Sequence, residues 1–398
     1  MINKRQYIGI CLLCAGILLP GLLAAADLTV SELELITRGN WQEDTVMLNT
    51  RGRSEIKVSG GYKFGGSLLL GFESANLSNA DQDAPVYSDY DDGSPDSPEL
   101  FADALTRYLD TQTTLQFQGA RITYRELFNT PTDLTYFVGN NDRLGSAEVF
   151  PQQFGSLPIA TKYQGYLYFP TNEYRGIHRV KGTGIEVSST FGNEWSKGSL
   201  YFYQDSYLGE GNYSADARYL ANFDKLKLEL FGGASFPQKS YGLYRGGLLF
   251  YYRPAERGEF FAQIGVPYYA PFDSININDF FFLFEPRVHF EYVNVILTLF
   301  WHPSMYLMES TGDEGSADIH FNLMFGDTRK NPVSGGLETN FTLVTESSSS
   351  QDFELKVTPY LNAITSGVMW NFMINVKLLP YSIDEEMVEG VIGVKAEF

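Results

Sequence analysis

The chain has 398 residues, with 48 Asp and Glu against 29 Lys and Arg, for a formal net charge of −19. So acidic a chain is a poor partner for nucleic acid, whose phosphates call for a Lys/Arg surface, and its 30 Phe and 26 Tyr argue against intrinsic disorder. The two cysteines, Cys11 and Cys14, both stand near the N-terminus, so the rest of the chain has no disulfide framework, thiolate nucleophile or thiolate metal site.

Lys4 and Arg5 precede an apolar stretch, 7–23, that is broken late by Pro20 and Gly21 and followed by Ala24-Ala25-Ala26. This reads as a cleavable export signal over residues 1–26, with Asp27 as the first mature residue. The alternatives are an uncleaved membrane helix, or a lipoprotein acylated at Cys11 or Cys14, neither of which follows the usual small residue. Cleavage removes both cysteines and two basic residues, leaving 27 basic against 48 acidic residues, a net −21. No later segment has the 18 apolar residues of a membrane helix, and the mean hydropathy is −0.17. Low hydropathy with many aromatics suits sheets that have one apolar face and one wet face.

Segments near 54–64, 66–76, 112–125 and 132–140 look like strands. The long stretch 76–111 between the second and third does not. Its part 78–110 holds nine carboxylates, among them Asp89, Asp91 and Asp92, and one base, Arg107. Ser97 and Pro98 suit the N-cap and first position of a short helix there. The segment reads either as a solvated surface loop or as one folded into a lumen that narrows a pore. Arg121 and Arg125 share a strand face opposite Ile122 and Tyr124. Pointing inward, they either oppose those acids at a constriction or form an ordinary lumenal ion pair. The stretch 139–157 has too many turn formers for a strand and is a second candidate for folding inward.

From there, strand starts fall near 161, 179, 197, 213, 224, 241, 257, 279, 293, 316, 334, 352, 366 and 388. Leu226, Leu228 and Leu230 alternate with Lys227 and Glu229, and Val368, Trp370, Phe372, Ile374 and Val376 with polar and Met residues. This is period two, one greasy face per strand. Phe280, Phe281, Phe282, Leu283 and Phe284 are apolar on both faces, which suits an interfacial aromatic girdle or a greasy lumenal patch. Connections at 222–225, 254–257 and 291–292 are tight, whereas 270–278, 303–315 and 378–387 are longer.

The last strand places Ile392, Val394, Ala396 and Phe398 on one face. Here the chain resembles outer-membrane β-barrel proteins, whose final strand ends on an aromatic residue that the barrel-assembly machinery reads as its signal. The resemblance implies an all-β, antiparallel up-and-down transmembrane barrel over 27–398, of roughly 16 to 18 strands, wide enough for a watery lumen. It implies outer-membrane lipid, the assembly machinery and small solutes or ions as partners, with no cofactor. A soluble β-sandwich gives the same alternation, but neither the export signal nor the terminal Phe398.

Other chemistries leave fainter traces. Asp318 and His320 on one strand face, with Asp81 and Asp83 earlier, are similar to the paired sites of omptin-type outer-membrane proteases. His302, Pro303 and Ser304 hint at a lipid hydrolase, and the greasy patch at barrels resembling the long-chain fatty-acid transporters. His178 and His289 stand outside any metal-ligand spacing. The expectation is a porin-like passive diffusion channel, cation-preferring through Asp89, Asp91 and Asp92, and not an enzyme.

Overall fold

The computed structural model describes residues 26–396 except 43–44, 75–112, 163–175, 193, 239–240, 272–273, 275, 304, 307–308, 311–315, 327–331, 345–352 and 380–386. Its strands are β1 (Ala26–Gln42), β2 (Thr45–Gly60), β3 (Phe64–Ser74), β4 (Thr113–Tyr124), β5 (Thr132–Leu144), β6 (His178–Phe191) and β7 (Ser196–Asp205). There follow β8 (Tyr213–Asn222), β9 (Leu226–Phe236), β10 (Leu243–Ala255), β11 (Gly258–Tyr269), β12 (Phe281–His289) and β13 (Val293–His302). After a two-stranded ribbon, β14 (Met305–Tyr306) with β15 (Glu309–Ser310), come β16 (Ser316–Phe325), β17 (Val333–Val344), β18 (Phe353–Thr365), β19 (Val368–Leu379) and β20 (Val388–Ala396). Leaving out the ribbon, eighteen strands make one antiparallel sheet in which sequence neighbours pair and β20 closes onto β1. The strand number is thus the upper end of the expected range.

Closure matters because a sheet with no edge leaves no row of unpaired peptide groups to face lipid. The side chains follow the same logic, inside out. On β7, Leu200 and Phe202 are 62% and 53% exposed on the outer face, while Tyr201 and Tyr203 between and beside them are buried. On β9, Leu230 faces out and Glu229 is fully buried inside. Connections at the end that holds both termini run to seven residues at most, and all but one at the other end are longer than five. Barrels of this class put the short turns in the periplasm. That rim carries exposed rings, with Phe64 stacked on Tyr124 at 4.8 Å and Trp195 packed on Phe223 at 4.8 Å. They form an aromatic girdle at the depth where amphipathic rings sit at a membrane surface.

Three expectations need correction. No wall strand starts at 161, because β5 pairs directly with β6 from Thr132↔Ser189 to Leu144↔His178. The first wall strand, β1, lies ahead of every strand read from the sequence, and β2 begins at Thr45 rather than near 54. Residues 139–144 are strand after all. A bulge between Asn140 and Asp142 absorbs the turn formers, and Gly139 supplies the positive φ of 85°. A Cβ on Gly139 would stand 2.4 Å from the Gln118 carbonyl oxygen, so only glycine fits. At that point the wall forks. The β4–β5 pairing covers only Gly119↔Gly139 to Tyr124↔Leu134, and beyond it β5 pairs with β6 alone.

Candidate functional site

Beyond Leu144 the chain turns into the lumen, as expected for the end of the 139–157 stretch. Gly145 makes the turn with a φ of 69°, and the short helix α1 (Val149–Phe154) follows, ended by Gly155 in the left-handed region. Val149, Phe150 and Ile159 of this segment are buried against wall residues that include Phe231, Leu249, Phe261, Phe281 and Leu283. Phe281 also meets Phe300 edge-on at 5.2 Å. The barrel therefore has a core on one side of its lumen, built between the wall and its own inserted chain. This accounts for the run 280–284. Phe282 faces out at the membrane, while Phe281 and Leu283 point inward and are fully buried under the inserted segment. The inward rings form no open greasy patch for a solute.

Both ends of the segment are held through main-chain atoms. At its start, the backbone N–H groups of Gly145 and Ser146 each donate to the Glu229 carboxylate at 2.9 Å. Arg218 donates from Nε to the same carboxylate at 3.1 Å, from Nη1 to Asp142 at 3.0 Å, and from Nη2 to the Arg143 carbonyl. Gln263 donates to the Gly145 carbonyl. At its end, the backbone N–H of Lys162 donates to Glu285 at 2.9 Å, and the Thr161 and Thr298 hydroxyls donate to the same group. Arg287 donates to Glu285 at 2.7 Å, to Glu259 at 3.2 Å and to the carbonyls of Ala160 and Ile159. A buried charge is costly unless paired and hydrogen-bonded, and here each carboxylate is both. Two Glu–Arg pairs on the wall thus fix a partition across part of the lumen.

Beside the partition runs a polar passage of two adjoining cavities, about 200 Å³ toward the long loops and about 560 Å³ toward the short turns. Both are lined by Lys57 of β2 and Arg121 of β4 on one side, and by Asp142 and Gln152 on the other. Arg121 points inward and donates to Ser67 at 2.9 Å. Arg125 lines only the lower cavity, where it donates to the Gly61 and Tyr62 carbonyls of the β2–β3 turn at the rim. Asp89, Asp91, Asp92 and Phe398 lie outside the described residues.

His178, His289 and His320 have structural surroundings. His178 is fully buried 3.3 Å from the Tyr203 hydroxyl, which donates to Asp216 at 2.8 Å. Arg245 spans that same carboxylate at 2.6 and 2.8 Å. His289 meets Asn294 at 2.8 Å. Asp318 accepts from Asn340 and Thr342, while His320 faces Glu338 at 3.5 Å, and Asp81 and Asp83 fall outside the described residues. Among the described residues no three His, Cys, Asp or Glu are grouped to hold a metal. Sequence reasoning missed both anchoring pairs. It placed Glu229 on a polar strand face, but nothing local says that this carboxylate grips a peptide 84 residues away.

No protein-family model matches the chain, and no curated protein matches its sequence. Among solved structures it is similar to Acinetobacter baumannii OccAB4, at 10% identity and a TM-score of 0.52, covering 94% of this chain and 97% of that one. It is similar to OccAB3 of the same organism, at 11% identity and a TM-score of 0.51, covering 94% and 99%. A weaker likeness is to the outer membrane protein OpdK from Pseudomonas aeruginosa, at 12% identity and a TM-score of 0.46, covering 94% and 99%. The chain has the fold of outer-membrane porins. Its closed wall and apolar outer belt are those of a protein that sits in a bacterial outer membrane.

Proposed function

We propose that the chain is a porin-like passive diffusion channel for small solutes or ions and carries out no catalysis. The observation behind this reading is the partition. A wide barrel is divided by a fixed segment, and what adjoins it is a narrow, charged passage between Lys57 and Arg121 on one wall and Asp142 and Gln152 on the other. In such a path, width sets the size limit and the fixed charges set ion preference. Arg121 is then a constriction residue, and Arg125 holds the periplasmic rim. Residues 1–26 act as the export leader, and Phe398 is the signal to the barrel-assembly machinery.

The passage prefers cations in this reading, because the acidic segment 76–111 brings Asp89, Asp91 and Asp92 to the lumen, where confinement screens them less than surface charges. Purified protein in planar bilayers is expected to give stepwise conductance, and its absence would count against the channel. Across a salt gradient, changing those three acids to Asn should move the reversal potential toward anions. An unchanged potential would remove the acids from the path and leave the channel standing.

A further inference from the structure

The outer face of the wall is not uniform. Around the place where β20 closes onto β1 it holds an apolar groove of about 650 Å³, lined by residues of β18, β19, β20, β1 and β2. Gly39 and Gly390 form its floor. They stand side by side in the register of the closing pair and face outward by the two-residue period. A Cβ on Gly390 would meet nothing nearer than the Gly39 carbonyl oxygen at 3.8 Å, so the space above this glycine is open. Leu48, the partner of Gly39 on β2, stands up on one side at 59% exposure. Ile374, the partner of Gly390 on β19, stands up on the other at 52%. Both side-chain hydroxyls of the lining are already bonded, Thr37 with Thr50 at 3.0 Å, and Tyr360 as donor to Asn322 at 2.9 Å on the inner side. The groove therefore selects by shape and not by polarity.

Its occupant follows from place and form. The groove is continuous with the apolar belt by which the barrel meets lipid, so what fills it comes from the membrane and not from the aqueous passage. Gly390 lies two residues from the start of β20 and Gly39 three from the end of β1, both at the long-loop end. That is the leaflet away from the periplasm. The wall of a second barrel is convex and would rest on Leu48 and Ile374 without reaching the glycines. A flexible row of methylenes reaches them, whereas an unfilled slot forfeits the dispersion contacts of its walls. We infer that the groove holds one acyl chain of an outer-leaflet lipid, laid over the seam between the first and last wall strands. Lipid tails are as apolar as the wall, so close packing on glycine backbone, and not the hydrophobic effect, sets this place apart from the rest of the belt. The inference rests on the barrel's place in the membrane and not on what its lumen passes.

Photolabelling of the full barrel tests it. Folded protein, checked by its heat-modifiable gel shift, is reconstituted into vesicles of phosphatidylethanolamine and phosphatidylglycerol. A small share of the phosphatidylethanolamine carries a diazirine halfway along one acyl chain. The protein is extracted into a mild detergent, washed free of exchanging lipid and illuminated, and labelled residues are read by mass spectrometry. Phe202 and Ile319 are the reference, because both face out three residues from the long-loop ends of β7 and β16. Labelling at Leu48, Ile374 and Ile392 is expected to exceed the reference several-fold in the wild type. It is expected to fall to the reference level in Gly390→Leu, whose side chain fills the groove. Labelling of the wild type at the reference level would mean that the groove holds lipid no more firmly than the belt does, and would overturn the inference. A wild-type barrel that runs as a dimer in the extract, and as a monomer in G390L, would overturn it in favour of a second copy. An excess that persists in G390L would remove the groove as its cause. Should the variant not fold, the comparison with Phe202 and Ile319 in the wild type decides alone.

Discussion

Glu229 is surrounded by donors only: two backbone N–H groups and the Arg218 guanidinium. Glu229→Gln keeps the volume but turns one acceptor oxygen into an NH₂ donor facing other donors, and leaves Arg218 with Asp142 as its one carboxylate partner. Breaking a buried, hydrogen-bonded charge pair typically costs about 3–5 kcal/mol. We expect the variant to lose its folded gel band at a lower temperature than wild type, and a control Glu256→Gln, at an exposed position in the β10–β11 turn, to melt unchanged. Equal melting of the two variants would show that the Glu229 anchor contributes little. Alternation in the sequence placed Glu229 on the polar face of its strand correctly. It could not give the partners, because Gly145 and Ser146 take part through peptide groups that look alike in any sequence.

At the scale of elements, the inserted segment serves both as the second half of a core and as a narrowing. Replacing 147–158 by a short Gly-Ser linker removes Val149 and Phe150 from the wall and uncovers Phe231, Leu249, Phe261, Phe281 and Leu283. Two outcomes are expected together. Single-channel conductance should rise about two-fold or more, since the lumen cross-section limits flow, and the purified variant should bind a hydrophobic dye that the wild type does not. Unchanged conductance would show that the partition does not limit the path. The strand rhythm of β7 to β20 was legible because one residue in two had to face lipid. The fork at Gly139 was not, since Gly139-Asn140-Asn141-Asp142 has the composition of a loop, and only the bulge and the glycine's positive φ keep it in the wall. The run at Phe280 gave no warning that its inward rings are covered, because the cover comes from a segment more than 100 residues earlier.

For the whole molecule, closure joins the two ends of the chain. β20 pairs with β1 from Leu33↔Ala396 to Asn40↔Glu389, so the last strand to be made completes the wall for the first. Its outer face carries Ile392 and Val394, and the period continues to Phe398. Deleting Phe398, or changing it to Asp, is expected to lower the amount of folded barrel in the outer membrane several-fold, read as the heat-shifted band. Wild-type amounts of that band in the deletion would remove Phe398 as an assembly signal. The resemblance to outer-membrane barrels was readable from this strand, whereas the strand count needed β1, which lies ahead of every strand read from the sequence and pairs with β2 and β20.

Apart from the Thr161 hydroxyl that donates to Glu285, the described bonds from the anchors to the partition go to peptide groups rather than to particular side chains. Glu229 and Glu285 would hold almost any sequence that presents its N–H groups at 145–146 and 162, and Arg287 any that presents carbonyls at 159–160. Attachment and permeation are thereby separated along one short stretch of chain. The residues that border the path, Glu148 and Gln152, are exchangeable like a cassette in a fixed socket. A library varied at those positions should yield barrels of equal thermal stability that differ in which solutes they pass, so a new specificity lies within reach of one or two substitutions without refolding the wall.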